Sequence, residues 1–148
     1  LEIQALVSPT SFNNPRRMAT GLDFNRLTML IAVLEKKVGM QLHTFDAYLN
    51  VVGGIRLDEP ATDLAVLAAI ASSYRNRPVD AGTVFFGEVG LTGEVRSVGQ
   101  TDKRIMEAAR LGFSRCMIPA TDGKTEKRKV HGIEVLPVAT VEQALDWM

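Results

Sequence analysis

The sequence predicts a mixed α/β domain, and three observations predict it. Residues 1–7 alternate apolar and polar side chains, with Leu1, Ile3, Ala5 and Val7 set against Glu2 and Gln4, the period-two mark of a strand with one buried face. Leu27, Leu30, Ile31, Leu34 and Val38 fall on one face of a helix. From Ala61 to Ser73 almost every residue is small or apolar, apart from Asp63, and a helix apolar on nearly all sides belongs inside a protein. The rest of the chain is expected to wrap that helix. At 148 residues, with 46% hydrophobic and 23% charged, the chain suits one globular domain with one sizeable core.

The elements follow in order. Pro9, Pro15, Asn13 and Asn14 make residues 8–15 a loop, and residues 16–20 a second, short strand. Asp23 caps the first helix; Lys36 and Lys37 favour its last turn and Gly39 ends it. Residues 47–52 read as a strand closed by Gly53 and Gly54. Asp58 as cap and Pro60 at an opening position, where no N–H is missed, start the central helix. Free N–H groups and partial positive charge at that start are placed to meet a substrate. Pro78 marks a connection; residues 83–89 form a strand, Gly90 and Gly93 bound a turn, and residues 94–98 return as its hairpin partner. A helix over 101–111 turns Ile105, Ala108 and Ala109 inward and stops at Gly112. Strands at 115–118 and 133–138 flank a charged loop at 121–129, and Thr140 with Gln143 forms a capping box for a last short helix ending at Trp147. The predicted order is ββαβαββαββα.

Composition removes several function classes. Lys plus Arg and Asp plus Glu are both 17, so any nucleic-acid surface must be a local patch. The single cysteine, Cys116, excludes an internal disulfide and cannot complete a zinc site with only His43 and His131. It reads as a small buried residue in its strand, and both histidines as surface residues outside any serine–histidine arrangement. The apolar run 64–71 is too short to cross a membrane. Gly123, Lys124 and Thr125 lack the upstream Gly of a phosphate loop, because Ile118 holds its place. The chain opens on Leu1 with no signal pattern and reads as an excised domain.

The stretch Asp58-Glu59-Pro60-Ala61-Thr62-Asp63-Leu64-Ala65 resembles the Asp-Gly-Pro-Ser-Ala-Gly element of the Lon protease family, which opens a helix with its catalytic serine. Downstream, Gly87-Glu88-Val89-Gly90-Leu91-Thr92-Gly93-Glu94-Val95 is similar to that family's Thr-Gly-Glu hairpin, after which a helix carries the catalytic lysine. In this register Ala61 stands at the serine position and Asp102 at the lysine position. A Ser–Lys dyad needs an oxygen nucleophile and a neutral amine to deprotonate it, and neither residue supplies one. Thr62 and Lys103 each lie one position late, about 100° round a helix, and are expected to point away from the shared site.

The segments Pro15-Arg16-Arg17, Phe24-Asn25-Arg26-Leu27, Leu34-Glu35-Lys36-Lys37 and Tyr48-Leu49-Asn50-Val51-Val52-Gly53-Gly54 extend the likeness over nearly the whole chain. With Glu59-Pro60-Ala61-Thr62-Asp63-Leu64-Ala65 they resemble the C-terminal Lon-like domain of the RadA (Sms) family of bacterial recombination and repair proteins. The resemblance implies a cytoplasmic, non-catalytic scaffold that forms a homo-hexameric ring and meets single-stranded or branched DNA and a recombinase of the RecA type. It also implies a zinc finger and a RecA-like ATPase using ATP and Mg elsewhere in the full protein, with no cofactor in this domain. The expected DNA contacts are Arg16 and Arg17 beside the first loop, Arg26 on the first helix, and Lys103 with Arg104, since arginine forks suit phosphate. Two other classes remain open: an active Ser/Thr–Lys peptidase of the Lon family, and a protein-interaction module without DNA contact. The spare serines, Ser72, Ser73 and Ser97, all lie away from the helix start that would stabilise an oxyanion.

Overall fold

The computed structural model describes residues 2–11, 13–52, 59–120 and 126–148. Gly53, Gly54, the proposed cap Asp58 and the Gly123-Lys124-Thr125 motif lie outside the described residues. Strand β1 (Glu2–Pro9) pairs antiparallel with β3 (Phe45–Val52), and β2 (Arg17–Thr20) pairs parallel with the other edge of β3. Between β2 and β3 runs α1 (Phe24–Val33), with Asp23 accepting from the Arg26 N–H as its cap. Its last turn, Leu34–Val38, is π-helical and ends at Gly39, whose φ of 78° places it in the left-handed region glycine tolerates.

The central helix α2 (Asp63–Arg75) begins one turn later than its sequence pattern, because Pro60–Thr62 form a 3-10 turn ahead of it. Leu64, Val66, Leu67, Ile70 and Ala71 are buried on several sides of α2, as expected for a helix the chain wraps. A second sheet of order β4-β7-β9-β8 is built from Thr83–Phe85, Arg115–Pro119, Ile133–Val138 and Arg128–Val130. Helix α3 (Thr101–Arg110) covers it, packing Ile105 and Ala108 with Cys116, Ile118, Ile133 and Val135 in a core of their own. The last helix, α4 (Val141–Asp146), joins the larger core with Val141, Ala144 and Leu145.

Two expectations are corrected among the described residues. The predicted strand over 83–89 is two strands, β4 and then β5 (Glu88–Val89), which pairs with β6 (Val95–Arg96). The chain leaves the β4 ladder at Gly87 to bond with the start of α2, its N–H donating to the Ala61 carbonyl at 2.8 Å. A side chain at Gly87 would stand 2.8 Å from Val95 Cγ1, so this close approach needs glycine. The second correction is β8, which arises inside the predicted charged loop. It pairs antiparallel with β9 at a sheet edge, where Lys129 faces solvent and polar residues are tolerated. The observed order is therefore ββαβαβββαβββα. The capping box of α4 is present with one shift: Thr140 Oγ1 accepts from the Gln143 N–H at 3.2 Å, while Gln143 Oε1 accepts from Ala139 rather than from Thr140 itself.

Candidate functional site at the start of the central helix

The first turn of α2 is fastened on every side. The N–H groups of Thr62, Asp63 and Leu64 donate to the carbonyls of Glu59, Pro60 and Gly87. A helix start normally leaves such donors open. Here the 3-10 turn and Gly87 consume them, which corrects the expectation that free N–H groups await a substrate. Ala61 presents a methyl group only 4% exposed, and its carbonyl is occupied by Gly87.

Asp63 completes the fastening. Its carboxylate is fully buried, and it accepts from Nε and Nη2 of Arg26 in a two-pronged ion pair. Asp63 Oδ2 also accepts from the Val89 N–H at 3.0 Å. One carboxylate thus ties α1, α2 and the β5–β6 hairpin together. The pairing holds the Arg26 guanidinium above its ordinary pKa, chiefly through the hydrogen bond to Asp63, against the opposing effect of burial. A buried negative charge in the first turn also faces the positive end of the helix dipole favourably.

Beside this turn lies a cleft of about 1160 Å³ between α2, β4 and α3. Ala61, Ala65 and Ala68 form one wall, Phe85 and Phe86 the floor, and Leu111 part of the far side. Thr62 and Lys103 both line this cleft with Ala61, so the one-residue offset does not remove them from it as the helical wheel implied. The Thr62 hydroxyl donates to the Glu59 carbonyl at 2.7 Å. Asp102 is exposed on α3. Arg104 is held at the rim: it pairs with Glu59, donates from Nε to the Gly99 carbonyl at 2.8 Å, and lies 5.7 Å from the Phe86 ring centroid.

The remaining arginines sit at the other end of the fold. Arg17 donates through Nη2 to the Leu42 carbonyl at 2.9 Å and through Nη1 to the Phe45 carbonyl, bracing the turn that enters β3. The Arg16 N–H donates to Asp46 Oδ1 at 2.7 Å, and the Arg16 residue is exposed. That backbone hydrogen bond is the main reason the Asp46 carboxyl lies below its ordinary pKa. The five sequence-predicted basic residues are therefore divided: Lys103 and Arg104 line the cleft, Arg26 is in the clamp, and Arg16 and Arg17 lie beside the three-stranded sheet.

The sequence profile of the Lon protease (S16) C-terminal proteolytic domain matches residues 30–147, which include α2, the hairpin, α3 and all of the cleft's lining but Glu2 and Ile3. The chain belongs to the Lon family. The Lon-family domain is 59% identical over 147 residues to DNA repair protein RadA of Bacillus subtilis, covering 98% of this chain and 31% of that protein. It is 56% identical to DNA repair protein RadA of Halalkalibacterium halodurans, over 99% of this chain and 32% of that protein. Against DNA repair protein RadA of Listeria monocytogenes the identity is 51%, over 98% of this chain and 32% of that protein. The chain spans about a third of the length of the curated relatives it matches.

Sequence reasoning missed the most constrained feature of this Lon-family domain, the Arg26–Asp63 pair. One signal was available: Asp63 is the lone charge in an otherwise small and apolar helix, and a buried carboxylate demands a partner. Among the described residues, no helix is long and apolar enough to cross a membrane.

Proposed function

We propose that this domain is a non-catalytic Lon-fold scaffold of a RadA-type DNA repair protein, holding a ring of copies together and contacting DNA. The observation that carries the non-catalytic part is Ala61. At the position where the Lon resemblance expects a serine, a methyl group is buried and offers no nucleophile. The neighbouring N–H groups that could stabilise an oxyanion are already bonded to Glu59, Pro60 and Gly87. The names of the relatives support the repair context; the ring and DNA roles are what the family resemblance implies.

One observation favours a second reading, a Thr–Lys peptidase: Thr62 and Lys103 line the same cleft. Against it, the Thr62 hydroxyl hydrogen is directed at the Glu59 carbonyl, not at an amine. Incubation with an unfolded protein substrate decides between them. The scaffold reading expects no turnover by the protein or by its Thr62→Ala variant. Turnover by the parent that Thr62→Ala abolishes would establish the peptidase.

A further inference from the structure

The two helical walls of the cleft belong to different cores. On one side stands α2, whose Leu64, Leu67 and Ile70 belong to the larger core; on the other stands α3, whose Ile105 and Ala108 pack into the second. Among the described residues, the pairing of Arg104 with Glu59 is the one side-chain hydrogen bond or ion pair that crosses from α3 to the segment opening α2.

Each end of that pair is rooted in its own wall. Arg104 also donates from Nε to the Gly99 carbonyl at 2.8 Å and lies 5.7 Å from the Phe86 ring centroid, so its guanidinium stays with the entrance of α3 and the cleft floor. The Glu59 carbonyl accepts from the Thr62 N–H at 3.1 Å and from the Thr62 hydroxyl at 2.7 Å, which fixes the Glu59 backbone to the turn before α2. Only the carboxylate–guanidinium link spans the gap. The α3 wall has a place to turn. Its N-cap, Gln100, has φ 60° and ψ 41°, the left-handed region that favours glycine, and a side chain at the preceding Gly99 would meet nothing within 4 Å.

We propose that the Arg104–Glu59 pair is a strap across the cleft, whose closing and opening sets how freely a molecule enters between α2 and α3. The Arg104 side chain is 26% and the Glu59 side chain 54% exposed, so water and salt reach the pair. A pair this exposed shifts a population by a few-fold and is readily opened, whereas a buried one is a fixed part of the fold. An ordinary surface pair joins residues of one element, as Arg110 and Glu107 do on α3. This one joins two walls with an apolar cavity behind it, where Ala61, Ala65 and Phe86 lie. Ionic strength thereby controls access to that cavity.

The test is the alkylation rate of a cysteine placed behind the strap, Ala65→Cys, by a neutral maleimide at pH 8. Ala65 is half-buried in the α2 wall and native Cys116 is fully buried, so the protein without the new cysteine gives the background. Added to Ala65→Cys, Glu59→Gln removes the charge and keeps the shape, while Arg104→Met keeps the stem and removes the guanidinium. In each, alkylation is expected to rise by about two- to fivefold, the range a partly exposed pair supplies. Local charge alone does not give this pattern. Loss of an anion lowers a thiol's pKa and speeds its reaction, whereas loss of a cation raises the pKa and slows it. Combining both changes is expected to match either alone, and salt to speed alkylation only where the pair is intact. Opposite changes in the two variants, no change in either, or an equal salt response with and without the pair overturns the strap. So does an equal rise at Cys116 when Ala65 is left in place, because the reagent would then be reading unfolding.

Discussion

Breaking the Arg26–Asp63 clamp is the sharpest perturbation the fold offers. Asp63 is fully buried and receives two guanidinium donors and one backbone N–H, while the Arg26 side chain is 29% exposed. Removing one partner of a fully buried pair costs about 3–5 kcal/mol; the partial exposure of Arg26 lowers that to roughly 2–4 kcal/mol for Arg26→Ala. For a chain of this size, about 3 kcal/mol corresponds to a fall in Tm of roughly 6–12 °C. Asp63→Ala is expected to cost a similar amount, because it strands both the guanidinium and the Val89 N–H. The pair Arg26→Met with Asp63→Leu removes both charges and should recover most of the loss, short of about 1–3 kcal/mol for the unpaired Val89 N–H. Thermal and urea unfolding of the two single alanine variants and of the apolar pair measure these differences. An Arg26→Ala protein that melts within about 1 °C of the parent yet binds DNA poorly would overturn the clamp. Arg26 would then be a surface contact, as its helix position alone implies.

Two further outcomes follow from the same geometry. Burial within β7 pushes the Cys116 thiol up to about 12, so it stays protonated and inert to thiol reagents in the folded protein at pH 8 and reacts only on unfolding. Because the folded pKa is raised, this thiol's contribution to stability is intact below about pH 9 and declines as pH rises toward 12; Cys116→Ala should flatten that alkaline limb, read by urea unfolding at pH 8 and pH 10. The protein is also expected to self-associate, as a hexamer by likeness to ring-forming Lon domains. Sedimentation velocity across a concentration series reads this, and a monomer at the highest concentration would remove self-assembly from the domain.

Much of this fold was legible because its signals are local. The 3.6-residue spacing of Leu27, Leu30, Ile31 and Leu34 and the alternation of β1 needed no partner to be read. Buried α2 and the hairpin announced themselves by composition and turn residues. The strand break at Gly87 was not legible, because it is made by a bond to Ala61 across the fold, and 83–89 alone looks continuous. Edge strand β8 was hidden by its charges, which suit an exposed edge as well as a loop. At the site, the alanine at position 61 was plain in sequence, and the structure buries it. The place of Arg26 was not plain, since a helix-borne arginine looks the same whether it faces water or a carboxylate 37 residues away. Arg17 has a structural part that the sequence did not show: its fork braces carbonyls of the turn before β3, so its removal costs stability as well as charge.

Whether a Lon-fold domain has here been turned from peptide chemistry to DNA is decided most directly through Arg16. The measurement is affinity for one single-stranded oligonucleotide against salt, for the protein and for Arg16→Ala. The parent is expected to bind with log affinity falling linearly in log salt. Arg16→Ala should bind more weakly with a slope shallower by about 0.7, as follows when one phosphate is no longer neutralised, and equally so for unrelated sequences. Identical curves for parent and variant, or a parent with no salt-dependent binding at all, would show that this face of the domain does not hold DNA.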